Sequence, residues 1–220
     1  MNAEVGGKTA PTVQSGPMSK GVRTRNRLLD VAYQAVIRKG FAATSIEELV
    51  EAAGITKSGF FYHFRDKNDL ARQILGRYQA ENDHFQAALA ARARELSDDP
   101  LHAFLIFLKL FAEAMEGMLE AHPGCIVATI TYQDQAFDRE VRQRNTDGLL
   151  AWRGLFLPWL QEIAAAYPPH AEVDLTALAD GVFVVASSGL MLTKALDDPK
   201  AIAGQVLLYR ESIRMIFAPR

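Results

Sequence analysis

The densest chemistry in this chain lies in the stretch ITKSGFFYHFRDK, residues 55–67. Lys57 can donate to guanine acceptors or to a phosphate, and Ser58 can bond either kind of base edge. Gly59 lets a backbone come close to a ligand. Tyr62 and His63 can donate to phosphates, which fixes register without reading sequence. Lys67 can grip a phosphate with its ammonium and with the N–H groups of a helix start. Thr44 and Ser45 can do the same one helix earlier. Covalent chemistry has no comparable constellation. The sequence holds no P-loop, no Gly-rich dinucleotide motif, no HExxH and no GxSxG. His122 and Cys125 stand three residues apart, but two ligands do not make a metal site. His84, His102 and His170 fit no ligand spacing. No metal and no cofactor is expected, and the chain is not read as an enzyme.

Helical geometry decides how these groups are presented. At about 100° per residue from Lys57, Phe60 and Phe64 fall on one side and form a core face with Ile55. Tyr62 points almost opposite, beside Ser58 and Gly59, with His63 on one flank and Phe61 on the other. The five consecutive rings are therefore two anchors, two outward contacts and one boundary residue. The preceding helix should open at Thr44, with Glu47 three residues on as a capping box. Leu49, Ala52 and Ala53 give it an apolar face. Gly54 suits a left-handed exit from that helix, and Thr56 suits the cap of the next. Two short helices around a glycine turn make a helix-turn-helix, whose second helix enters a major groove.

This segment resembles the DNA-binding domain of TetR/AcrR-type transcriptional regulators. The residues that carry the likeness are TSIEELVEAAGITKSGFFYHFRDKNDL, residues 44–70, preceded by a first helix in RNRLLDVAYQAVIRKGF that ends at Phe41. The resemblance implies DNA contacts at Thr44 or Ser45, Lys57, Ser58, Gly59, Tyr62, His63 and Lys67. Two positions depart from the family pattern. Phe61 lacks the hydroxyl many members carry there, and Glu47 stands where many have a basic residue.

Charge distribution agrees with that reading. The net charge is −2, but residues 18–67 hold nine Lys and Arg against five Asp and Glu. A basic end on an acidic body is the asymmetry expected of a chain that meets a polyanion at one end. One cysteine permits no internal disulfide. The first 19 residues look like a flexible tail and not a signal peptide. The most apolar runs, such as GVFVVASSGLML, look too short and too interrupted to span a bilayer, so a cytoplasmic protein without membrane contact is expected.

Apolar residues recur with helical spacing throughout and no alternating strand pattern occurs. The fold class expected is all-α with about nine helices. They would span roughly 24–39, 45–53, 57–64, 67–96, 100 to the Pro123-Gly124 break, 125–132, 135–167, 174–196 and 200–217. The expected organisation is a tail (1–19), a helix-turn-helix domain (20–66) and an effector-binding and dimerisation domain (67–220).

The resemblance implies a homodimer whose last two helices form a four-helix bundle. The sequence supports this independently, because residues 178–196 are apolar nearly all round. Small residues there (Gly181, Ala186, Ser187, Ser188, Gly189) allow close helix contact. Helices four to seven are expected to enclose a ligand cavity. Candidate walls are Phe104, Phe107, Leu108, Phe111, Met115, Cys125, Thr129, Tyr132, Trp152, Phe156 and Trp159, with His122, Tyr132 and Gln133 as polar groups. The function expected is a ligand-responsive repressor that binds a near-palindromic operator in double-stranded DNA as a dimer. A small apolar or aromatic effector would release it. The alternatives are an all-helical enzyme and an architectural DNA-binding protein without effector.

Overall fold

In a computed structural model, residues 19–117 and 124–218 are described. The expectations placed on His122 and on the tail before Ser19 lie outside them. Nine α-helices follow one another, with no strand among the described residues. They are α1 (Lys20–Lys39), α2 (Ile46–Ala53), α3 (Lys57–His63), α4 (Lys67–Leu96), α5 (Pro100–Gly117), α6 (Ile126–Tyr132), α7 (Arg139–Ala166), α8 (Leu175–Leu196) and α9 (Ala201–Phe217). A single 3-10 turn, Asp134–Ala136, precedes α7.

Local chemistry sets most of the boundaries. Ser19 caps α1, so this helix begins one turn earlier than the apolar pattern suggests. Gly40 ends it at φ +87°, where a side chain would be strained. Asp66 caps α4 by accepting from the Asp69 N–H. Asp99 caps α5 ahead of Pro100, whose missing N–H costs nothing in a first turn. Asp138 caps α7 after the 3-10 turn, which moves its start past the expected position. The helix then runs on through Pro158.

Two hydrophobic clusters hold the helices together. The first joins α1, α2 and α3 to the opening turns of α4 and to α6 and the start of α7. It includes Leu28, Leu49, Phe60, Phe64, Leu70, Ile126 and Val141. The second joins α5, α7, α8 and α9 around Phe104, Phe107, Phe156, Leu160 and Val206. The first core therefore crosses Asp66 and continues into the larger part of the molecule. Burying a ring such as Phe60 or Phe64 contributes on the order of 2–3 kcal/mol through apolar area removed from water. Ion pairs fix α4 between its neighbours, with Arg77 on Asp30 of α1 at 2.8 Å and Arg72 on Asp138 at the head of α7 at 2.6 Å.

Candidate nucleic-acid interface and effector cavity

The reading helix α3 is short and well anchored. Thr56 caps it by accepting from the Gly59 N–H at 3.1 Å. Phe60 and Phe64 are fully buried, with ring centroids 5.5 Å apart. Tyr62 is 82% exposed and Phe61 48%, so the helix splits its rings as the geometry of the sequence requires. Lys57 and Ser58 are exposed, Gly59 and His63 half-buried. The turn before α3 leaves α2 through Gly54 at φ +64°, with Ile55 half-buried beneath it.

The start of α2 differs from expectation by one residue. Ser45, not Thr44, is the cap, accepting from the Glu48 N–H at 3.2 Å. The sharp turn at Gly40 brings the Thr44 hydroxyl back onto the Gly40 carbonyl at 2.8 Å, and Thr44 is 1% exposed. Its side chain thus closes the turn and does not face outward, whereas Ser45 does. Ala52 is exposed, so Leu49 and Ala53 alone carry the buried face of α2.

Released from capping, Glu47 accepts from the Lys57 ammonium at 2.7 Å. That hydrogen bond holds the Glu47 carboxyl below its usual range. An acid and a base at the foot of the reading helix thus neutralise each other. Lys67 is also engaged. Its ammonium donates to the Phe41 carbonyl at 2.5 Å and lies 4.3 Å from the Phe41 ring centre. Partial burial, and then the charge of Lys39, lower its pKa. Of the backbone N–H groups opening α4, that of Asp69 donates to the Asp66 carboxylate.

The cavity of about 210 Å³ differs in walls from the sequence reading. Phe111, Met115, Cys125 and Trp152 line it, as expected. Phe104, Phe107 and Phe156 do not. All three are fully buried between α5 and α7, where Phe107 and Phe156 stand 5.3 Å apart and Phe104 meets Trp159 at 5.1 Å. They are packing residues, because the cavity opens on the other side of Phe111. Leu108 and Trp159 belong to the same core. Thr129, Tyr132 and Gln133 face a neighbouring groove, with Tyr132 86% exposed.

The missing walls come from α4 and α8. Tyr78, Asn82 and Phe85 recur along one face of α4, and Phe183, Ser187 and Leu190 along one face of α8. Both sets follow the 3–4 spacing of a helix face, which was the available signal. On α8 it was hidden because the helix is apolar nearly all round. Five rings bound the space, Tyr78 of α4 among them. Phe85 and Phe111 lie 6.2 Å apart, Phe111 and Trp152 6.4 Å, and Trp152 and Phe183 5.4 Å edge to face. Burial pushes the Tyr78 phenol well up, and the Cys125 thiol it hydrogen-bonds adds to that.

The rest of α8 also has a different use. A side chain on Gly181 would meet the Tyr209 ring at 2.9 Å, and one on Gly189 the Ile202 backbone at 2.9 Å. These glycines therefore serve contact with α9 of the same chain. Val184 and Met191 of α8 are exposed, as are Leu208 and Met215 of α9. Over its most apolar 18 residues α8 reaches a mean hydropathy of 1.7, so by length and composition alone it is less interrupted than the sequence suggested. It nonetheless carries Asp180 in a two-point pair with Arg153 of α7, both contacts at 2.8 Å, and packs on α7 and α9.

Comparison with known proteins places this architecture. Residues 28–74 match the family model of bacterial regulatory proteins of the tetR family. The chain is 25% identical over 189 residues to the HTH-type transcriptional regulator TtgR of Pseudomonas putida, covering 83% of this chain and 86% of that protein. It is 41% identical over 51 residues to the regulator AcrR of Shigella flexneri, 23% of this chain and 24% of that one. A TetR-family regulator from Agrobacterium tumefaciens superposes with a TM-score of 0.74 at 19% identity, covering 90% of this chain and all of that one. One from Chloroflexus aurantiacus gives 0.72 at 22%, covering 91% and 98%. The helix-turn-helix, the all-helical body and these likenesses together support a TetR/AcrR-family transcriptional regulator.

Proposed function

We propose that this regulator is a cytoplasmic repressor that binds a near-palindromic operator as a homodimer and leaves it when an apolar or aromatic effector enters the cavity. The observation that carries the reading is the position of α4. Its first turn follows the reading helix directly, and its middle supplies Tyr78, Asn82 and Phe85 to the cavity wall. A ligand that favours one placement of α4 must therefore favour one separation of the two reading helices in a dimer. Operator contacts fall to Ser45, Lys57, Ser58, Gly59, Tyr62, His63 and the N-terminus of α4, with Thr44 supporting the turn beneath them. Exposed Val184, Met191, Leu208 and Met215 supply an apolar surface on α8 and α9 for the second subunit.

An architectural protein without effector has no use for a cavity walled by five rings, so the cavity favours the ligand-responsive reading over it. A gel-shift titration with the DNA flanking the protein's own gene tests the proposal. The expected result is a retarded band with a two-fold symmetric footprint. Lys57→Ala and Ser58→Ala should change base preference, whereas Tyr62→Phe, which removes a phosphate donor, should weaken all sequences alike. No shift with any symmetric site in that DNA would overturn a local repressor.

A further inference from the structure

The effector cavity does not end at its apolar walls. Gly124, Cys125, Ser187 and Leu190 line both it and a second groove of about 510 Å³, which runs between the end of α1, α6 and α8. The two spaces share a doorway and differ sharply in chemistry. The first is bounded by rings. The second presents Arg38, Lys39 and Lys194, with the hydroxyls of Ser188, Thr129 and Tyr132, and no carboxylate among its described lining residues. A side chain on Gly124 would meet Ile37 of α1 at 2.8 Å, so this glycine keeps the doorway tight against the DNA-reading module.

We propose that the effector is an amphipathic anion, with an aromatic or branched apolar body in the chamber and a carboxylate head in the basic groove. This rests on the reading of the chamber as the effector site. Size agrees, because a cavity of about 150 Å³ accepts benzene, so the chamber here holds one ring with a few methylenes. The chain beyond them must leave through the shared doorway. Charge agrees as well. Glu81 lies on the chamber wall and would attract a cation instead, but it is 71% exposed and already faces Arg77 at 3.7 Å, so a cation gains little there. In the groove an oxyanion meets Arg38, Lys39 and Lys194 on one lining, exposed cations whose attractions add with no carboxylate set among them.

The position of the head has a regulatory consequence. Arg38 and Lys39 form the last turn of α1, and Lys39 pairs with Glu48 in the first turn of α2. An anion in the groove competes with Glu48 for that ammonium. The effector thus acts on the helix that supports the reading helix directly, besides whatever it does through α4.

Calorimetric titration of the full chain with 4-phenylbutanoate, 4-phenylbutanol and 4-phenylbutylamine tests the proposal. The acid should bind about tenfold or more tighter than the alcohol. That advantage should shrink as salt rises from about 50 to about 300 mM, while the alcohol is unaffected. In an Arg38→Gln, Lys194→Gln double variant the acid should fall to the affinity of the alcohol. The alcohol's unchanged affinity shows that the variant is folded. Equal binding of acid and alcohol, or tighter binding of the amine, overturns the anionic head while leaving the chamber as the effector site. Binding of none of the three, with no release of operator DNA, overturns both.

Discussion

At Gly59 and Glu47, two single atoms or charges carry the argument about DNA. A side chain on Gly59 would sit 3.4 Å from the Thr56 hydroxyl and 3.7 Å from Ile55, both ordinary contacts. The fold therefore does not need a glycine there, and a glycine inside a helix costs about 0.5–1 kcal/mol relative to alanine. Gly59→Ala should raise stability by about that amount in urea unfolding while lowering operator affinity roughly tenfold in fluorescence anisotropy. Unchanged affinity would mean that no DNA approaches this backbone. Glu47 is one of the two residues that depart from the family pattern, and the structure gives it a purpose other than capping. It neutralises Lys57, and on the proposed contact of Lys57 with the operator, DNA would have to displace it. Glu47→Gln should strengthen operator binding roughly three- to tenfold at low salt and steepen its salt dependence by about one ion. A loss of affinity would instead show that Glu47 itself reads a base, since a carboxylate accepts from a cytosine amino group.

Helices meet where the DNA-reading module joins the body, and one turn holds that joint. The amide of Gln133, just past α6, accepts from the Phe41 N–H at 2.9 Å and packs beneath Gly40. A side chain on Gly40 would reach 2.4 Å from the Gln133 amide nitrogen and would hold φ at +87° against its preference. Gly40→Ala should therefore cost about 1–3 kcal/mol in thermal or urea unfolding. Gln133→Ala should cost about 1 kcal/mol, the worth of one lost hydrogen bond. If Gly40→Ala melts like the wild type, the turn is not strained and α1 is not held by α6 in this way. The apolar period, the caps and the glycine stops made nearly every helix legible in the sequence, because each is set within one or two turns of chain. Thr44 and Ser45 show where that reasoning fails. Both are good caps by type, and only the turn at Gly40 decides which hydroxyl faces the helix.

For the whole molecule, the outer faces of α8 and α9 matter most. Val184, Met191, Leu208 and Met215 are exposed on one chain, an arrangement that water does not favour. On the proposed homodimer, Leu208→Glu should leave a monomer in sedimentation velocity where the wild-type chain sediments as a dimer. The variant's affinity for a palindromic operator should fall about a hundredfold or more, since the two half-sites are then bound independently. A variant that stays dimeric would place the subunit contact elsewhere.

The sequence by itself determined the helical class, the helix-turn-helix, the inward and outward rings of α3 and the basic end of the chain. All of these follow from residues near one another and from helical periodicity. It also determined four of the cavity residues, Phe111, Met115, Cys125 and Trp152. Only the tertiary structure decided that Phe104, Phe107 and Phe156 are core and that Tyr78, Phe85 and Phe183 are wall. An aromatic on an apolar helix face looks the same in sequence whether it meets another ring or an empty space. The difference lies in how α4, α5, α7 and α8 are set against one another, which is fixed by contacts between residues far apart in the chain.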